Sequence, residues 1–289
     1  MATPNNRTDL RNKVRARLSA WPDDVGAISA ASISATVTSL TLAASLDISE
    51  KALLQIDTEV IRVRTYVAGG TAVASVIRGD RGSTAATHVA DSVVTVYPFW
   101  GWTDFDINRE LEAAIDWLWP DVWVLSPKTN TLLADNTEFG LPSGTFYPNG
   151  EIVKRVELLD TDVTPNVYRE ILGWKHAGDR LILSKPTSKD YTARIWVMSK
   201  HARLATDAAQ LDNDDPSEAI VYYAASNLLE QLLANRVRYV EYSAALNDRA
   251  STPDELQRQS YYFKNQAVVS RDRISRPPPS GLASTRRTG

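Results

Sequence analysis

The chain has 289 residues, 43% hydrophobic and 23% charged, enough to bury one sizeable core or two smaller ones. Its formal charge of −3 speaks against a general nucleic-acid binder, whose footprint is strongly basic, and the absence of cysteine excludes disulfides, thiolate catalysis and cysteine-based zinc sites. No apolar run reaches bilayer length and the first residues lack the apolar core of a signal peptide, so a soluble intracellular product with no membrane association is expected.

Residues Thr8 to Leu18 place Leu10, Val14 and Leu18 four apart, predicting a short helix capped by Thr8. Arg7, Arg11, Lys13, Arg15 and Arg17 surround that stripe and are expected to form a solvated basic face. Trp21-Pro22 stops the helix. From about Ile28 to Tyr97 the chain changes to short β-branched runs broken by glycine, with Gly69-Gly70 as a hairpin turn, predicting an all-β module of five or six strands.

Thr103 to Pro120 carries the cleanest helical pattern. Ile107, Leu111, Ala114, Ile115 and Leu118 share one stripe, Thr103 and Asp106 form an acidic variant of the capping box, and Pro120 ends the run. Trp100, Trp102, Trp117, Trp119 and Trp123 flank it and are expected to pack as core anchors. The stretch from Val122 to Gly150 shows no sustained periodicity and predicts an irregular, partner-facing loop.

A second β region follows, with strands over Ile152-Val153, Val156 to Leu158, Val167 to Trp174, Leu181 to Leu183 and Tyr191 to Met198, expected as an antiparallel meander. Asp215 and Pro216 then open a long apolar helix, and Thr252-Pro253-Asp254-Glu255 is a full capping box for the last one. The softer segment Tyr239 to Ser251 lies between them. From Arg276 the chain reads RPPPSGLASTRRTG, which cannot bury a core and is expected to stay extended until a partner orders it.

The expected fold class is therefore α+β: a helical bundle core with an inserted small β-barrel or sandwich, a second antiparallel β region and an extended C-terminal arm. Its parts are 1–27, the N-terminal helix of the helical core; 28–99, the inserted β module; 100–126, the central core helix; 127–150, the irregular loop; 151–203, the second β region; 204–275, the C-terminal core helices; and 276–289, the flexible arm.

Several chemical readings fail on their residues. Arg78-Gly79-Asp80 is formally an integrin tripeptide but sits in a turn, and Gly79 to Ser83 lacks the lysine and glycine spacing of a phosphate loop. His88, His176 and His201 do not fall at metal-ligand spacing, and Asp212 to Pro216 lacks the ligand pattern of a calcium loop. Asp104, Asp106 and Glu110 could imitate paired glycosidase carboxylates, yet a capped helix accounts for them without a nucleophile or histidine pair. No catalytic, cofactor-binding or metal residue is expected.

The string over residues 53–97 resembles a β module of tailed-bacteriophage virion proteins, among them head–tail connector (adaptor, neck) proteins. The matching pieces are Ile56-Asp57-Thr58-Glu59, Arg78-Gly79, Gly82-Ser83-Thr84, His88 and Val93 to Val96. Read physically they are turn chemistry, with Arg78, Gly79, Asp80, Gly82 and His88 tying a loop to its strands. The resemblance implies a structural adaptor ring of twelve copies beneath the portal, extending the DNA channel at the head–tail junction of a virion assembled in the host cytoplasm. It also implies a portal protein and a tail-side protein as partners, with double-stranded DNA passing through unread. The arm contributes Arg276, Pro277, Pro278, Pro279, Leu282, Arg286 and Arg287 as candidate portal contacts. Trp123, Leu132, Leu133, Phe139, Phe146 and Tyr147 are candidate contacts to a neighbouring subunit or the tail. A tail or baseplate attachment protein using the same module is the alternative.

Overall fold

The computed structural model describes residues 5–19, 22, 24–28, 31–141, 153–162, 165–177, 179–212, 216–247 and 250–274. Contacts divide the chain into two compact units, one of residues 1–117 and 203–274 and one centred on residues 118–202. The proposed portal arm, together with Phe146 and Tyr147, lies outside the described residues.

The first unit opens on α1 (Arg7–Leu18). Its cap is Asn6 rather than Thr8: the Asn6 side chain accepts from the Asp9 N–H at 2.8 Å and Asp9 accepts from the Asn6 N–H at 3.2 Å. Asparagine caps as well as threonine and here has an acidic partner three residues on.

The β module follows as β1 (Asp24–Ala27), β2 (Leu40–Thr41), β3 (Leu53–Ile56), β4 (Glu59–Tyr66), β5 (Ala72–Ile77) and β6 (Val93–Tyr97). All pairings are antiparallel, in the order β1-β6-β3-β4-β5-β2. The two edge strands approach each other through a single bridge, Ile28 to Leu42, so the sheet curls without closing into a continuous ladder. Because side chains alternate across a strand, β3 divides its apolar residues between two cores. Leu54 and Ile56 join Ile61, Val63, Val94 and Val96 inside the curl, while Leu53 packs with Val60, Tyr97, Phe99 and Phe105 on the outside. Phe105 belongs to the next helix, so the outer face joins the module to the helical core.

That helix, α2 (Asp104–Leu118), buries the whole predicted stripe: Ile107, Leu111, Ala114, Ile115 and Leu118 are all fully buried. It lies on α3 (Ser217–Ala234), where Asn227 and Gln231 donate to the buried Glu110 carboxylate at 3.1 and 2.7 Å. Of the five flanking tryptophans only Trp102 is buried, donating to the Leu228 carbonyl at 3.2 Å, while the partly buried Trp117 stacks on Tyr223 with ring centroids 4.4 Å apart.

The segment after α3 is not soft coil but a further helix, α4 (Arg236–Leu246), capped by Asn235. Only Arg238 and Tyr242 are buried on it, so there is no apolar stripe by which to foresee it. The final helix, α5 (Pro253–Ile274), starts with the expected capping box, in which Thr252 and Glu255 exchange hydrogen bonds of 2.7 and 3.3 Å. The proposed cap of α3, Asp215, lies outside the described residues.

Helices α3 and α5 meet at small residues, with Ser226 and Ser260 buried and their hydroxyls 3.1 Å apart. Ser226→Leu is expected to cost about 1–3 kcal/mol by overpacking that contact, seen as a lower urea midpoint. An unchanged midpoint would mean the helices are not closely apposed there.

In the second unit the strands are β7 (Val124–Leu132), β8 (Glu138–Gly140), β9 (Val153–Asp160), β10 (Val167–Glu170), β11 (Trp174–Ala177), β12 (Arg180–Leu183) and β13 (Tyr191–Ser199). They form a four-stranded sheet, β10-β9-β13-β7, and a three-stranded one, β11-β12-β8. The loop expected over 127–150 is thus corrected in its described part: it begins within a nine-residue strand and continues into a second. Pro127 hides the pattern, but among the described residues β7 pairs only with β13, and an edge strand tolerates a residue that cannot donate to a ladder. The predicted strand from Val167 to Trp174 is two strands separated at Gly173, whose φ of +78° breaks the extended chain.

Candidate functional site

Of the residues singled out by their resemblance to phage modules, Arg78, Gly79 and His88 converge on one carboxylate, that of Glu59. Glu59, at the start of β4, has no exposed surface and accepts from Arg78 Nε at 2.7 Å and Arg78 Nη2 at 2.8 Å. It also accepts from the Gly79 N–H at 3.0 Å and the Ala86 N–H at 2.9 Å, and it faces His88 Nε2 at 2.8 Å. The other ring nitrogen of His88 lies 2.9 Å from Asp57, in the two-residue turn between β3 and β4. Arg78 also donates to the carbonyls of Ser34, Val37 and Ala86, so its fork clamps the β1–β2 and β5–β6 loops to the start of β4.

Burial alone pushes the Glu59 carboxyl up, but the hydrogen bonds led by Arg78, then Ala86 N–H, His88 and Gly79 N–H, hold it down at about 2. A carboxylate so fully used has no lone pair left for a substrate, and the knot is a structural tie.

The turn needs its glycines. Gly79 has φ +61°, and a Cβ there would meet the Ser83 carbonyl at 3.0 Å; Gly82 has φ +82°. Asp80 faces Arg62 of β4 at 3.3 Å. Arg81, in the same turn, reaches the helical core, donating to the carbonyls of Phe99 and Gly101 and to Asp106 in the cap of α2.

The basic residues of α1 are also corrected by the structure. Arg11 and Arg15 are buried at 7% exposure rather than solvated. Asp104, the first residue of α2, pairs with both and accepts from the Tyr97 hydroxyl at 2.8 Å. Burial pushes Arg15 down and the Tyr97 hydroxyl up from their ordinary values. Asp207 receives Arg7 and Arg11 at 2.8 and 3.1 Å, and the bond from Arg11, opposed by burial and helped by Arg7, keeps its carboxyl below the usual range. A cleft of about 700 Å³ opens beside these groups, between α1, α2 and the β3–β4 turn. Its Arg7, Arg11, Asp104 and Asp207 are engaged with one another, and Arg203 pairs with Asp116 at 3.0 Å and Glu112 at 3.5 Å. Among the described residues no group of three or more histidines and carboxylates could hold a metal ion.

The predicted contact loop separates into core and surface. Leu132 and Phe139 are buried in the second unit with Val156, Leu181 and Ile195, which removes them as contact residues. The alternation of a strand decides it: Leu132 points inward, while Leu133, just past the strand end, is 51% exposed. Trp123 is half-buried.

No family model matches the chain, and no curated protein does. Among solved structures it is similar to a chain from the neck of an empty GTA particle computed with C6 symmetry, at 16% identity over 57% of this chain and 80% of that one, with a TM-score of 0.21. At that TM-score the likeness carries no argument about what this chain does.

Proposed function

We propose that the chain is a structural virion protein, a head-to-tail adaptor whose copies close into a ring beneath the portal and extend the DNA channel towards the tail. The observation that supports this reading is the Glu59 knot. Arg78, Gly79 and His88, turn residues by which the chain resembles phage virion modules, meet around one buried carboxylate with Asp57 behind His88, and Arg81 ties that turn to the cap of α2. They act as a scaffold fixing an inserted module to a helical core, which is what an assembly component requires.

A ring needs a heterologous interface that closes. Leu133 remains as a candidate contact on the second unit, and residues 276–289 remain the candidate portal arm, with the basic Arg276, Arg286 and Arg287.

The test is electron microscopy of the protein mixed with portal-bearing, DNA-filled heads. A ring at one vertex is expected. Density confined to tails or baseplates would favour the alternative, a tail attachment protein, and the absence of any particle-bound density would remove the virion assignment. Deleting residues 276–289 is expected to leave the circular-dichroism spectrum of the helices unchanged and to weaken docking on isolated portal rings. Equal binding by the truncated protein would rule out the arm.

A further inference from the structure

A second cleft, of about 680 Å³, lies where the 79–82 turn, β4 and the junction of α3 with α4 come together. Five guanidiniums line it, from Arg62, Arg81, Arg109, Arg236 and Arg238, against the carboxylates of Asp80 and Asp106. This is a local cationic excess in a chain whose formal charge is −3.

The two lining carboxylates are already taken. Asp80 faces Arg62 at 3.3 Å; Asp106 receives Arg81 and lies 3.8 Å from Arg109. Arg238 is the anomaly. Its exposure is 7%, yet among the described residues it forms no ion pair with a carboxylate. Its Nη2 donates to the Trp100 and Gly101 carbonyls at 3.0 Å each, while its Nε has no partner. Burying a guanidinium against neutral carbonyls is costly, and such groups are normally paired. Burial, then the Arg81 charge, hold its pKa down at about 10, with Asp106 pulling the other way and Arg109 adding to the depression. Arg236, beside it at the start of α4, is exposed and forms no ion pair among the described residues. The positive end of the α4 dipole points into the same space.

We propose that this cleft binds a phosphate group, with Arg238 as its buried cation and Arg236 closing over the oxyanion from the rim. Planar guanidinium forks match phosphate oxygens in pairs, and several forks converging on one space fit a tetrahedral polyanion better than a single carboxylate. The phosphate could come from a nucleic-acid backbone or from a small phosphate ester, and the chemistry of the cleft is the same for both. The inference does not rest on the ring reading, since it concerns a cleft within one chain.

The experiment is isothermal titration of the full-length protein with pyrophosphate at fixed ionic strength, with sodium chloride as the control. Saturable binding is expected for the wild type, weakened about tenfold or more in Arg236→Glu, because a charge-assisted bond is replaced by repulsion. Arg236 is exposed and has no ion pair among the described residues, so that variant should keep the wild-type melting temperature without ligand. Arg238→Met reads the buried anchor directly and should abolish saturation, with folding checked by circular dichroism. A short DNA duplex forms the second arm. Competition between duplex and pyrophosphate for one site would support the cleft and identify the backbone as its ligand, whereas saturation by pyrophosphate without duplex binding would support it and identify a small phosphate. Pyrophosphate heat no different from the chloride control, or affinity unchanged in Arg236→Glu, would overturn the proposal.

Discussion

Glu59→Gln is expected to cost about 3–5 kcal/mol of folding stability, the usual penalty for removing one member of a buried ion pair. The amide keeps the shape but loses the charge that both Arg78 and His88 face, and one end of it presents donors where Gly79, Ala86 and Arg78 already donate. Arg78 then stays buried without a counter-ion, its side chain only 7% exposed. Against a total stability of about 5–15 kcal/mol for an ordinary domain, the loss should leave the β module largely open on warming. Amide hydrogen exchange over β3, β4 and β6, with a urea midpoint, would measure it. A loss below about 1 kcal/mol would mean that water reaches the knot and screens it.

The same carboxylate predicts a pH dependence. Its folded pKa of about 2 lies below the ordinary 4.5, so its contribution is fully present above 4.5 and is lost as pH falls towards 2. The depression corresponds to roughly 3 kcal/mol at neutral pH. Urea midpoints of the wild type should fall across that window more steeply than those of Glu59→Gln. Parallel curves would place the acid sensitivity elsewhere.

What could be read in advance follows the range of the interactions involved. The stripe of α2 and the caps Thr103–Asp106 and Thr252–Glu255 are local, so spacing alone reveals them. The pairing of α1 is not local: Arg11 and Arg15 look like a solvated face until Asp104 and Asp207, 89 or more residues away, come to meet them. Glu59 is named among the residues of the resemblance, but nothing in the spacing marks it as the acceptor on which Arg78 and His88 converge. In the second unit Pro127 masks β7, because proline reads as a strand breaker until the strand is known to be an edge. For α4 the missing signal is the apolar stripe: Val237 and Val240 are exposed while an arginine is buried. That inversion of the usual pattern also marks the cationic cleft.

Asp106→Ala should be the second most damaging substitution, at about 3–4 kcal/mol, because this residue does two jobs with one side chain. Its Oδ2 accepts from the Thr103 N–H and hydroxyl at 3.1 Å each, closing the cap of α2, a contribution of about 1 kcal/mol. The same oxygen receives Arg81, whose guanidinium also holds the Phe99 and Gly101 carbonyls and whose side chain is 10% exposed. Losing the carboxylate strands that cation beside Arg238 and Arg109, so repulsion adds to the lost bond. A double-mutant cycle separates the two roles. Arg81→Met in the Asp106→Ala background should cost much less than in the wild type, whereas Thr103→Ala should remain costly only where Asp106 is present. Because Arg81 sits in the turn of the β module and Asp106 in the cap of α2, the variant should also uncouple them: the wild-type unit should melt in one transition, and Asp106→Ala should release the module's exchange protection before that of α2. Simultaneous loss of protection in both would show that the packing of Phe105 on Leu53 and Tyr97 is enough to hold module and helix together.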